Sequence, residues 1–169
     1  MNLFILSDNN TESAMFHTDK HIVKMPTETA QMLSFAYHDK DLWKSDIPQY
    51  IMLFSKSHNL HPCSKWMRES LSNWMWTANF GLELYKEYQF RFNKPDKHQR
   101  AYNIFKFALE NPPNLPDIGL TPFVEAMDDL HKISDNSIDN YRNYYIVAKT
   151  HLFKWTNRSK PYWINNINN

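Results

Sequence analysis

Only two glycines, Gly81 and Gly119, occur in 169 residues. An all-β domain of this size turns tightly many times, and tight turns draw heavily on glycine. Their scarcity therefore points to an all-α chain. Apolar residues make up 42% and aromatic residues 15% of the sequence, enough to build one buried core rather than a disordered chain. The length suits a single domain over residues 1–169.

The pattern along the chain gives five to seven helices around one long central helix. Residues 2–6, NLFIL, form a short extended apolar segment. Ser7 to Thr11 offer N-cap candidates for a helix running to about Tyr37, kinked or split at Pro26. Residues 38–46 read as a loop and 48–57 as a short helix. His61-Pro62 opens a long helical pattern that ends near Phe92, and Asp96 with Gln99 has the spacing of a capping box. Asn111-Pro112-Pro113 stops the helix that follows. PPNLPDIGLTP is an ordered loop, Thr121-Pro122 caps a short helix, and Ser134 to Ser137 open a last helix ending near Thr156.

The single cysteine, Cys63, has no partner for an internal disulfide, which with the absence of a signal sequence predicts a cytoplasmic protein. The apolar run in MNLFILSD is too short for a membrane span. The formal net charge of +1 hides a local bias, because Asn140 to Lys160 contains five cations and no acid. Tyr141, Tyr144, Tyr145, Phe153 and Trp155 are interleaved with those cations. Cations among flat rings suit phosphates and unstacked bases, although a helix with a buried aromatic face looks the same in sequence.

HTDKHIVKMPTETAQ, residues 17–31, carries the densest polar pattern. His17, His21, Lys24, Glu28 and Gln31 recur every three or four residues and share one face of a helix, continued by Phe35. Three readings of this stripe stand: a polar seam between helices, the wall of a cleft with Glu28 and a histidine as acid/base groups, or a metal site on His17 and His21. A second cluster, HPCSKWMRESLSNW, offers His61, Ser64, Arg68, Glu69 and Asn73 near a helix N-terminus, where the Arg68 guanidinium can fork onto a phosphate. Neither GxxxxGK[ST] nor GxGxxG occurs, so the usual nucleotide loops are missing.

The stretches HTDKHIVKM, HPCSKWMRES, NLPDIGLTPFVEAM and YRNYYIVAKTHLFKW together resemble a family of small proteins encoded by tailed phages. That resemblance implies a phage-like origin and a place in the cytoplasm of an infected cell. The order NLFIL, His17, Glu28 and RSKPYW is similar in architecture to phage pyrimidine-dimer DNA glycosylases of the endonuclease V type. Those are compact all-α enzymes with an N-terminal tail at the active site, a histidine and a catalytic glutamate on the first helix, and a basic, aromatic C-terminus. They attack with the α-amine of a threonine exposed by loss of the first methionine; here the second residue is Asn2, which usually leaves Met1 in place.

The leading expectation is a phage enzyme acting on nucleic acid, DNA first, at a base or its glycosidic bond. Glu28 is the expected acid/base or cation-stabilising group, with His17 and His21 positioning or relaying protons. Lys24, Arg68, Arg142, Lys149 and Lys154 are expected to take phosphates, and Trp66, Tyr144 or Tyr145 to stack on bases. This reading calls for no metal and no cofactor. The alternatives are a metal-dependent nucleotide hydrolase built on His17, His21 and Glu28, and a non-catalytic protein that binds a host protein or nucleic acid.

Overall fold

The computed structural model describes residues 1–56 and 58–164. Among them the chain is all-helical, with six α-helices and three short 3-10 turns. The helices are α1 (Asn10–Phe16), α2 (Asp19–Tyr37), α3 (Pro62–Met67), α4 (Leu71–Phe92), α5 (Gln99–Glu110) and α6 (Ser137–Ala148). No helix among these residues is long and apolar enough to cross a membrane.

Caps explain where most helices start. Asn9 accepts from the Glu12 N–H at 3.0 Å, His61 Nδ1 from the Cys63 N–H at 3.2 Å, and Ser70 Oγ from the Asn73 N–H at 3.0 Å. Each satisfies an amide that the first turn would otherwise leave bare. Ser70 also cuts the expected long helix in two, into α3 and α4. α5 departs from expectation as well: its N-cap is His98 in the left-handed region, without a side-chain cap, and not an Asp96–Gln99 box.

The N-terminal helical pattern is split at His17-Thr18, both extended, and not at Pro26. α2 runs through Pro26, losing one backbone bond while burying Ile22, Met25, Met32 and Leu33. The predicted short helices at 48–57 and after Thr121 are absent from the described residues, and α6 stops at Ala148, short of Thr156. The first stretch makes a single turn, Ile51 N–H to the Pro48 carbonyl at 2.9 Å, and the chain past Ala148 only a 3-10 turn at Thr150–Leu152; contacts from elsewhere in the fold hold them as well. Arg100, for example, donates to the carbonyls of Met52 and Leu53.

α4, the longest helix at 22 residues, packs against α1, α2, α3 and α5. Gly81 allows the α5 contact, because a Cβ there would meet Phe105 Cδ1 at 2.6 Å. Residues 2–6 thread through the core without a strand partner among the described residues, with Leu3, Ile5 and Leu6 fully buried. Their backbone groups bond to side chains instead: Leu6 N–H to Ser13 Oγ at 3.1 Å and Leu6 C=O to Arg142 Nε at 2.9 Å. That arrangement carries Met1 to Glu28 of α2.

Candidate active site

The stripe divides where the helix breaks. His17 lies in the α1–α2 junction, and its Nδ1 bonds the Ser13 carbonyl at 2.7 Å. His21, on the first turn of α2, bonds the Tyr145 hydroxyl through Nδ1 and stacks on Phe4 with ring centroids 4.4 Å apart. Burial drives His17 down to about 4, helped by the Arg91 charge against the opposing Ser13 bond. Burial, followed by nearby His17, Lys24, Lys149 and His151, drives His21 down to about 3. Both rings are therefore neutral at neutral pH. His21 links Phe4 of the N-terminal segment to Tyr145 of α6.

Glu28 sits about 10 Å further along α2, half-buried at the boundary of the core. Its Oε1 pairs with Lys24 Nζ at 3.1 Å, and its Oε2 faces the α-ammonium of Met1 at 3.7 Å. Oε2 is shielded from solvent and accepts no hydrogen bond. The first turn of α3 holds the other side of Met1. Ser64 Oγ lies 3.9 Å from Met1 Sδ, and His61 bonds the Met1 backbone while feeling the charges of both the α-ammonium and Glu28. The His61 imidazole is pushed below its ordinary value by burial and then by that α-ammonium. An amine, a carboxylate, a lysine and a histidine thus converge from the N-terminus, α2 and α3.

Two elements extend this corner with positive charge. On one side Lys149 lies 4.6 Å over the half-buried Tyr144 ring, with exposed His151 and Lys154 following. Lys149 acts on His21 together with Lys24, so these two cations share one side of the protein. On the other side, down the stripe past Gln31, Arg68 stacks 4.4 Å over Phe35 and donates to the Asn59 carbonyl at 2.8 Å. Burial lowers the Arg68 value, with Asp39 opposing.

Two of the expected nucleic-acid residues are buried, and a third is tied to the N-terminal segment. Trp66 is 2% exposed and donates from Nε1 to the Pro122 carbonyl, while Tyr145 is fully buried against His21. Neither can stack on a base; the available ring is Tyr144. Arg142 is held by the Leu6 carbonyl and lies 5.6 Å from both the Tyr162 and the Trp163 ring centroids. Nor do His17, His21 and Glu28 make a metal triad, since no three His, Cys, Asp or Glu groups converge suitably among the described residues. Cys63 is buried, and burial pushes its thiol up to about 12, so no thiolate nucleophile is present.

The sequence singles out His61 in the HPCSKWMRESLSNW cluster, but neither Met1 nor His151. Spacing cannot bring the three together, because they reach the site from separate elements. No protein-family model, no curated protein and no solved structure matches the chain.

Proposed function

We propose that this protein is a DNA-processing enzyme that acts on a base or its glycosidic bond, with the Met1 α-amine as nucleophile and Glu28 as its partner. The observation that supports this most is the pairing of the α-ammonium with Glu28 at 3.7 Å beside a basic surface. α-Amines lose their proton at lower pH than lysine side chains do, so they supply more free amine at neutral pH.

In this reading the free amine attacks C1′ of an extruded nucleotide. The C1′–N bond to the base breaks, its electron pair leaves with the base, and the base takes up a proton. The sugar ring opens to an imine between Met1 and C1′, which water hydrolyses to an abasic aldehyde and free amine. The Glu28 carboxylate stabilises positive charge that develops on the sugar and accepts or returns protons. Lys24, Lys149 and Lys154 bear on the phosphates, and Tyr144 offers a surface for an unstacked base.

The test is borohydride trapping of the imine on DNA duplexes that contain an abasic site, a pyrimidine dimer or a modified base. The expected result is a covalent protein–DNA adduct mapped by mass spectrometry to the Met1 nitrogen. Placing Gly-Ser ahead of Met1 should abolish the adduct while DNA binding persists. An adduct mapped to a lysine, or no adduct on any of these duplexes, overturns the proposal.

A further inference from the structure

The residue after Met1 is bonded unusually thoroughly for one so near a chain end. Asn2 is buried, and its Oδ1 accepts from Leu3 N–H at 2.7 Å, Phe4 N–H at 3.2 Å and Tyr141 Oη at 2.8 Å. Cys63 Sγ lies 3.9 Å from the same oxygen. Its Nδ2 donates to the Ala126 carbonyl at 2.8 Å. The side chain thereby joins its own backbone to α3, to α6 and to the 124–126 segment, which Tyr141 also binds at Val124 and Ala126.

The local backbone is demanding. Phe4 has φ +47, a left-handed conformation that a phenylalanine rarely adopts. The two bonds from Leu3 and Phe4 to Asn2 Oδ1 hold that turn, as Asx side chains do elsewhere. The turn lays the Phe4 ring on His21 and aims the preceding residue at α2. Glu28 can meet the α-amine only while this geometry lasts.

We propose that Asn2 is a positioning residue, whose buried carboxamide sets the backbone of residues 1–4 so that the Met1 α-amine lies against Glu28. The role rests on the reading of that amine as the nucleophile. Asn2 touches no reacting atom; it acts through Met1. Aspartate or a longer amide does not reproduce it. Aspartate loses the donor to Ala126, and glutamine displaces the carboxamide by one methylene.

The experiment compares wild-type protein with Asn2→Gln and with Tyr141→Phe, which leaves Asn2 in place and removes the hydroxyl that bonds its Oδ1, along with that hydroxyl's contacts to Val124 and Ala126. Intact mass first verifies that each retains Met1. Two readouts follow: the rate of Met1 α-amine acetylation by acetic anhydride relative to the lysines, and the rate of borohydride trapping on a duplex with an abasic site. Acetylation should change at least about threefold in both variants, and trapping should slow about tenfold or more at saturating DNA, as a misplaced nucleophile predicts. Half-saturation by DNA should stay put, since the phosphate contacts are untouched. Variants that melt earlier yet keep wild-type acetylation and trapping overturn the positioning role. Should Asn2→Gln fail to fold, Tyr141→Phe decides alone. If wild-type protein forms no adduct, the nucleophile reading has failed, and unchanged acetylation in the variants then rejects the positioning role separately.

Discussion

Arg91 on α4 donates through Nη1 to Asp19 Oδ1 at 3.0 Å, across 72 residues of sequence and with its guanidinium fully buried. The same group bonds Glu87 at 2.7 Å and the carbonyls of His17 and Met15 at 2.8 and 2.9 Å. Asp19 also accepts from the Thr156 amide and hydroxyl, and Glu87 accepts a two-pronged contact from Arg158. Arg91 therefore closes the α1–α2 junction and ties the C-terminal segment to it. Removing it leaves Asp19 and Glu87 buried with less compensation. Arg91→Met should lower unfolding free energy by about 3–5 kcal/mol, whereas the partly exposed Arg158, changed to Gln, should cost no more than about 1 kcal/mol. Urea denaturation measures both, and equal effects would show that the junction does not depend on Arg91.

Acid should weaken the fold well before carboxylates titrate. The folded values of His17 and His21, about 4 and about 3, lie below the ordinary 6.5. Below pH 6.5 the unfolded chain takes up protons that the folded chain refuses, so stability falls as pH drops and is fully present above neutrality. From pH 7 to pH 5 the two rings together should remove roughly 3–4 kcal/mol. Glu87 adds to the loss at lower pH. Burial would raise its value, but hydrogen bonds from Arg158 and Arg91 outweigh that and hold it below the usual 4.5. Its contribution is therefore present above the unfolded value and disappears as pH falls through the folded one. Urea midpoints that stay flat between pH 7 and pH 5 would contradict the buried, neutral state of both histidines.

Glu28→Gln separates chemistry from architecture. The Lys24–Glu28 pair is largely exposed on the lysine side, 52%, so the change should shift stability by no more than about 1 kcal/mol. Glutamine keeps the shape but cannot exchange a proton or stabilise a cation. Imine trapping should fall by roughly 100-fold or more with DNA affinity maintained. Trapping at the wild-type rate would remove Glu28 from the mechanism and leave it as part of a polar seam.

Binding to DNA should weaken steeply with salt. Lys149→Gln and Lys154→Gln should each reduce the slope of log affinity against log salt by about one. Trp66→Phe should leave the slope unchanged, since Trp66 is buried under the 121–127 segment. A slope insensitive to both lysines would move the interface away from the α6 end of the protein.

Local rules decided much of this protein from sequence alone. Two glycines and periodic apolar positions specify helices, because side chains three and four apart share a face whatever the helix later packs against. The cap at His61 and the placing of Lys24 beside Glu28 are equally local. Only tertiary structure decided the break at His17-Thr18, where the carbonyls of Met15 and His17 turn to Arg91, from a helix more than fifty residues later. It likewise buried Trp66 and Tyr145, since periodicity reports a face but not what covers it. Above all, it brought Met1 to Glu28. That meeting depends on Asn2, Cys63, Ala126 and Tyr141 closing around one short segment, and contacts across 61, 124 and 139 residues leave no trace in spacing.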